Sequence, residues 1–129
     1  MTDVIKHADC GNSPKNEFIQ DFEAAFGQLD VDKLIDWVTD DIEWVGVGQA
    51  EVQGVTAFED MLLTMSADHI EKYEIEGAIS HGLHGCAWGK MTESDGAIYE
   101  FCDLFTFENL KAQRIRAIRS FSIQVDSGE

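Results

Sequence analysis

The sequence predicts an α+β fold in which three N-terminal helices pack on one face of a strongly curved, mostly antiparallel sheet. Two observations lead to this class. Before residue 68 the apolar residues recur at helical spacing, whereas after it they alternate with polar residues at the period of two that is typical of strands. Helices and strands that are segregated in this way along a chain form α+β folds.

Each predicted helix begins at a recognisable start signal. Ser13 can accept hydrogen bonds from free backbone amides, and Pro14 suits the first position of the first helix. The second helix begins after Asp30. A short alternating strand follows at 42–48, and a capping box over residues 56–59 then predicts the start of the third helix.

Four antiparallel strands are predicted after the helices. In the last strand the odd-numbered positions form the apolar face, which would turn Arg119 inward. A three-residue hairpin loop would then place Asp103 diagonal to Arg119, within reach of a long side chain. The four predicted strands are 73–81, 84–89, 97–107 and 113–125.

Composition and charge limit the expected domain organisation, partners and location of the protein. The predicted organisation is a single domain over residues 14–125, a flexible arm at 1–13 and a short tail at 126–129. A net charge of −16 repels phosphates and anionic lipids, so neither nucleic acid nor a membrane is an expected partner. Three cysteines without a CxxC pair, and no signal-peptide or membrane-spanning pattern, predict a cytoplasmic protein.

The stretch FCDLFTF places one acid in a row of aromatic residues. Phe101, Asp103, Phe105 and Phe107 share a face of the predicted strand because side chains alternate sides. Two interpretations of Asp103 stay open. Burial raises its pKa and makes it a pocket acid, or it is ionised and forms an internal ion pair with Arg119.

The opposite face of the same strand is mixed in character. It is too apolar to be wholly solvated and too polar to be core, which predicts a homodimer that forms through the outer face of the sheet. The residues of this face are Ile98, Glu100, Cys102, Leu104 and Thr106.

Three stretches together resemble the NTF2-like superfamily, in its SnoaL-like and ketosteroid-isomerase-like branch. They are FGQLDVDKLIDWVTDDIEW, the helix entry G-x-x-A-F and FCDLFTFEN…RIRAI. The resemblance covers about residues 14–124 and implies a cone: helices wrap a strongly bent sheet around a deep pocket, usually in a homodimer. It also implies that Asp103 stands where the isomerases carry a neutral aspartic acid.

The resemblance also predicts what this chain lacks. Phe22 stands where the isomerases carry a tyrosine, and Gly46 stands where they carry the carboxylate that moves a proton, so the chain is not a standard ketosteroid isomerase. Arg119 replaces an apolar pocket residue, which would suit an anionic or oxygen-rich ligand.

Further candidates come from single residues. His84 is a candidate base because histidine titrates near neutrality. The spacing H-x-x-H-x-C of residues 81–86 supplies too few ligands for zinc, and neither a metal nor a cofactor is predicted. The predicted pocket consists of Phe22, Phe26, Trp44, Gly46, Met61, Tyr73, Trp88, Phe101, Phe105, Ala117 and Arg119.

Two functions stay open at this level. The first is cofactor-independent acid–base chemistry by Asp103, of the isomerase, cyclase, dehydratase or epoxide hydrolase type, on a small apolar ligand that carries oxygen. The second is a non-catalytic ligand-binding or dimerisation module in which Asp103 and Arg119 form a structural ion pair.

Overall fold

The structure, a computed structural model, describes residues 2–7, 13–65, 69–111 and 114–127. The first half of the chain contains both strands and helices, and the second half contains strands alone. The elements are β1 (Asp3–Lys6), α1 (Pro14–Gly27), α2 (Val31–Asp36), β2 (Val38–Gly46), β3 (Ala50–Gln53), α3 (Val55–Thr64), β4 (Ile70–His81), β5 (His84–Glu93), β6 (Ile98–Phe107) and β7 (Ile115–Asp126).

The seven strands of the described residues form one mixed sheet in the order β1-β4-β5-β6-β7-β2-β3. The pairs β1/β4 and β2/β7 are parallel, and the other pairs are antiparallel. The sheet is mixed, although four of its six pairings are antiparallel, and α3 follows a strand, as in the predicted order of elements; the short strand β3 before α3 was not predicted. Register shifts interrupt three of the pairings, β2/β7, β4/β5 and β6/β7, and such irregularities bend strands.

The start signals of the first two helices act as predicted, and that of the third does not. The Ser13 hydroxyl accepts a hydrogen bond from the Asn16 amide at 3.2 Å, and Asp30 caps α2. The predicted capping box is wrong, because Thr56 already lies inside α3. Gly54 precedes this helix at a φ of +91°, a left-handed conformation that favours glycine, and makes no side-chain cap.

Part of the predicted flexible arm is instead a strand. Asp3–Lys6 pairs in parallel with β4, and the Thr2 hydroxyl donates to the Ile70 carbonyl at 2.7 Å. Residues 8–12 of the arm lie outside the described residues. At the other end, β7 continues to Asp126, the first residue of the predicted tail, and residues 128–129 lie outside the described part.

The core lies between the helices and the inner face of the sheet. On β6 the residues Phe101, Asp103, Phe105 and Phe107 are buried, as predicted, while Leu104 is exposed on the other face. The largest cluster joins α1, α2 and α3 to β2 and β4–β7 through apolar side chains. No helix in the described part of the chain is both long and apolar enough to cross a lipid bilayer.

The predicted register of the last hairpin, which places Asp103 opposite Ala117 and diagonal to Arg119, is wrong by three residues. Asp103 pairs with Ser120, and Arg119 pairs with Leu104 on the outer face. The register shifts next to Phe107, and one additional residue in a strand turns every following side chain to the opposite face. The even-numbered Ser120 therefore faces the interior, and Arg119 is exposed.

The approach of α1 to β4 gives a first prediction. We expect Gly27→Ala to lower the free energy of unfolding by about 1–3 kcal/mol, although alanine favours helices over glycine. The added Cβ would lie 2.8 Å from Cγ of Tyr73, whose ring stacks on Phe101 with a 4.8 Å centroid distance. Urea titration measures the loss. The control Gln28→Ala, at an exposed neighbour, should stay within about 0.5 kcal/mol of the wild type.

Candidate functional site

A cavity of about 690 Å³ opens between α1, the start of β4 and the inner faces of β2, β6 and β7. Its volume lies within the range of small-molecule sites. Its polar wall residues include Gln49, Ser120 and Ser122. Five aromatic residues contribute to the wall: Phe26, Trp44, Tyr73, Tyr99 and Phe101.

Two carboxyl groups meet at the wall of this cavity. Asp103, from β6, lines it and is 7% exposed, and Glu23, from α1, lies behind the wall and is 1% exposed. Burial is the main cause that raises the pKa of Glu23 well above its ordinary value, and the nearby charge of Asp103 raises it further. Two carboxylates this close in an apolar interior do not both ionise readily.

The hydrogen bonds of the pair assign its proton. Burial raises the pKa of Asp103, but hydrogen bonds from Glu23 and from Ser120 oppose that increase. The bond between the two carboxyl groups raises the pKa of Glu23 at the same time. The raised pKa of Glu23 favours its protonated form, in which it can donate to the Asp103 carboxylate.

Tyr73 lies on β4, two strands away from Asp103 in the sheet, and supports the pair of carboxyl groups. Burial is the main cause that raises the pKa of Tyr73, followed by the charges of Glu23 and Asp103 and a hydrogen bond with Glu23. The phenol therefore remains protonated and donates to Glu23. The network runs from Tyr73 through Glu23 to Asp103, and Ser120 donates to Asp103 from the other side.

The network leaves hydrogen-bonding capacity unused. Among the described residues, neither Oε2 of Glu23 nor Oδ1 of Asp103 has a hydrogen-bond partner. Buried polar atoms normally have one, so these two oxygens are free to accept a hydrogen bond from a water, an ion or a ligand.

At the rim of the cavity His69 forms an ion pair with Glu93, and Met65 lies beside them. His69 is mostly exposed and Glu93 is largely covered. The rim therefore adds an acidic group to the wall, and its charge is matched by a histidine only while that histidine is protonated.

Five of the residues predicted for the site line the cavity, and the others do not. Phe22 and Phe105 meet edge to face in the core with a 5.7 Å centroid distance, and Met61 packs against that core. Ala117 pairs with Thr106, away from the cavity. The predicted residues that line the cavity are Phe26, Trp44, Tyr73, Phe101 and Asp103.

His84 and Trp88 lie on the face of β5 opposite the cavity, and both are exposed. The face that packs inward carries Gly85 and Ala87, because α1 approaches there closely enough that a Cβ on Gly85 would lie 2.5 Å from Ile19. The prediction that His84 and Trp88 line the pocket is thus corrected by helix packing.

Arg119 does not reach Asp103. It is exposed and pairs with Leu104 on the outer face, so the predicted internal ion pair is not formed. Because Arg119 does not face the cavity, it gives no support for an anionic ligand.

Gly46 lies next to the cavity without lining it. A Cβ at this position would lie 2.6 Å from Cη2 of Trp44, so the indole ring occupies the space that a side chain would need. The position implied for a proton-moving carboxylate is therefore filled by the aromatic wall.

Glu23 is the functional residue that the sequence interpretation missed. It lies one turn after Ile19 and three residues before Phe26, and this spacing places it on the buried stripe of α1. An acid inside an apolar stripe was the available signal. Ser120 was missed for another reason, because only the shifted register of β7 turns it inward.

The described residues contain no group of three or more His, Cys, Asp or Glu side chains arranged to hold a metal ion.

The family model for the SnoaL-like domain matches residues 19–115. A search of curated protein sequences finds no match. The matched segment begins inside α1, includes α2, α3, the strands β2–β6 and both carboxyl groups, and ends at the first residue of β7.

Solved structures share the fold at low sequence identity. An NTF2-like protein of unknown function from Cytophaga hutchinsonii has 22% identity and a TM-score of 0.69, over 84% of this chain and 99% of that one. A protein assigned as a SnoaL-like polyketide cyclase from Shewanella denitrificans has 12% identity and a TM-score of 0.71, over 86% and 92%. An LEH-like epoxide hydrolase of M. tuberculosis has 16% identity and a TM-score of 0.70, over 84% and 82%.

The buried pair predicts an unusual pH dependence of stability. Between the ordinary pKa of a carboxyl group and the raised pKa of Glu23, the native state binds more protons than the unfolded chain. The free energy of unfolding therefore falls as the pH rises across this window. In Glu23→Gln this decrease should be shallower by up to about 1.4 kcal/mol per pH unit.

Urea titrations from pH 4 to pH 9 measure this slope. Glu17→Gln, the same substitution at an exposed position of α1, is the matched control and should keep the slope of the wild type. Equal slopes for Glu23→Gln and the wild type would contradict the protonated state assigned to Glu23.

Proposed function

The chain belongs to the SnoaL-like domain family, and we propose that its cavity binds a small, largely apolar, oxygen-bearing molecule on which Asp103 performs acid–base chemistry. The observation that carries this proposal is the buried pair of Glu23 and Asp103, both with raised pKa values, at the wall of a cavity that several aromatic residues line. Strongly shifted carboxyl groups in a cleft are typical of functional sites.

The walls define the ligand that would fit. The aromatic side chains offer flat apolar surfaces, and the hydroxyl groups of Ser120, Ser122 and Tyr99 offer hydrogen bonds to an oxygen atom. Proteins of the same fold are named as a SnoaL-like polyketide cyclase and an LEH-like epoxide hydrolase, and both names refer to oxygen-bearing compounds. These names support the ligand class without fixing the reaction.

The pair supports proton transfer in both directions. As a carboxylate, Asp103 can take a proton from a carbon next to a carbonyl group, while the hydroxyl groups of the wall hold the enolate oxygen. The same proton then returns to another carbon, or to an oxygen. The Glu23 proton stabilises the ionised Asp103 in the first step without itself reaching the cavity.

Proton abstraction can be tested with a simple ketone. We expect the protein to accelerate exchange of the α-hydrogens of 2-tetralone in D₂O, followed by proton NMR. Asp103→Asn should lose about 10²–10⁴-fold of this acceleration, because its amide cannot accept the proton. Glu100→Gln alters an exposed acid on the outer face of the same strand and is the matched control. Equal exchange rates in Asp103→Asn and the wild type would contradict the role of Asp103.

We also propose that the protein works as a homodimer through the outer face of the sheet. This face, opposite the cavity, carries large apolar side chains that remain exposed in the single chain, which is typical of an interface. Arg119 lies among them and offsets some of the acidity that would otherwise oppose association. The apolar residues are Ile79, Trp88, Leu104, Phe121 and Ile123.

Sedimentation at micromolar concentration tests the dimer. We expect the wild type to sediment as a dimer and Leu104→Glu as a monomer, because the substitution would bury two like charges at the interface, one from each subunit. Leu63→Glu, at an exposed leucine of α3, is the matched control and should leave the dimer intact. A monomeric wild type would contradict the proposal.

The chemistry of the surface supports a cytoplasmic setting. Within the described residues, Cys86 and Cys102 are free thiols, which a reducing compartment preserves. The net charge of −16 also argues for partners other than nucleic acid and anionic membranes.

A further inference from the structure

The cavity carries acidic groups without a matching cation. All nine Lys and Arg residues of the chain lie in the described part, and none of them lines the cavity. The acids of the site are Asp103 in the wall, Glu23 behind it and Glu93 at the rim. His69 pairs with Glu93, so it does not compensate the deeper pair.

A buried carboxylate without a counter-charge is costly, and Asp103 has none within the described part of the chain. Asp103 is 7% exposed and its Oδ1 lacks a hydrogen-bond partner among the described residues. Leaving one charge of a buried pair unmatched is strongly destabilising. A bound cation that donates hydrogen bonds would satisfy both the charge and the orphaned oxygen.

The walls suit such a cation. Aromatic rings attract cations through their negative faces, and the attraction grows when water is excluded. Trp44, Tyr73 and Phe101 line the same cavity as Asp103, together with Phe26 and Tyr99. An acid surrounded by aromatic rings is an arrangement that binds organic ammonium groups.

We propose that this cavity binds a protonated primary or secondary amine with an apolar body, whose ammonium group donates to the Asp103 carboxylate. The apolar body lies against the aromatic walls. This inference rests on the proposed function for the choice of cavity, and it goes beyond it by assigning a cationic group to the ligand. Carboxylate and phosphate ligands are disfavoured, because Asp103 and Glu93 would repel them.

The neighbouring groups are compatible with an ionised Asp103. Glu23 from α1 and Ser120 from β7 donate to it, and Tyr73 from β4 donates to Glu23. Cys102, its neighbour on β6, has a raised pKa, chiefly from burial, and stays a neutral thiol. Glu93, Tyr99 and His69 are the other titratable groups of the wall.

The net charge of the whole protein also favours a cationic ligand. A net charge of −16 attracts cations over distances that shorten as salt is added, so association with an amine should be faster and tighter at low ionic strength. A neutral ligand of the same shape would not show this dependence.

Three probes of one shape test the inference: 2-naphthylmethylamine, 2-naphthylmethanol and 2-naphthoate, titrated into the full chain at pH 7 by calorimetry. We expect the amine to bind at least tenfold more tightly than the alcohol, and the naphthoate not to bind. In Asp103→Asn the amine should fall to the affinity of the alcohol, while the alcohol should stay within about threefold of its wild-type affinity. Glu100→Gln, the outer-face control, should preserve the amine preference.

A second measurement covers the case in which Asp103→Asn does not fold. In the wild type the affinity for the amine should fall as the pH is lowered and Asp103 takes up a proton, and the affinity for the alcohol should not. An amine affinity that does not change with pH would contradict the inference.

The outcomes separate this inference from the proposed function. If the alcohol binds as tightly as the amine, the cationic ligand is wrong and the neutral, oxygen-bearing ligand of the proposed function stands. If the amine preference survives in a folded Asp103→Asn, Asp103 is not its partner. If none of the three probes binds, both the inference and the proposed ligand class are contradicted.

Discussion

The site depends on two acids that share one buried environment. Glu23 and Asp103 come from a helix and a strand that are 80 positions apart in the sequence, and packing brings them together where water is largely excluded. Burial disfavours ionisation of both, and their proximity disfavours ionisation of the second once the first is charged. The pair is therefore held as a proton-sharing unit, and the surrounding structure supports that state.

Several features of the fold serve this pair. Gly27 lets α1 approach β4 closely enough for Tyr73 to reach Glu23, and the stacked ring of Phe101 fixes Tyr73 from the other side. The bend in the last hairpin brings a serine hydroxyl to Asp103 in place of an arginine. A guanidinium there would have neutralised the acid, whereas a hydroxyl leaves its charge available to a ligand.

The two faces of the sheet consequently have different chemistry. The inner face encloses an aromatic cavity whose fixed charges are acidic, and the outer face is apolar and carries Arg119 and exposed leucine, isoleucine and tryptophan side chains. An enzyme or binding site on one face and a subunit contact on the other can then coexist, because neither uses the side chains of the other. The proposals for ligand and for dimer are physically independent.

The sequence by itself determined the class of fold, the buried face of β6 and the position of Asp103, because alternating and helical periods are local properties. It did not determine the additional edge strands, the partner of Asp103 or the inward side of β5. The strand Asp3–Lys6 forms by pairing with the free edge of β4. Glu23 meets Asp103 only through long-range packing. A single bulge in the last hairpin turns Ser120 inward in place of Arg119. Tertiary structure decided these, since register and helix approach depend on contacts between distant segments.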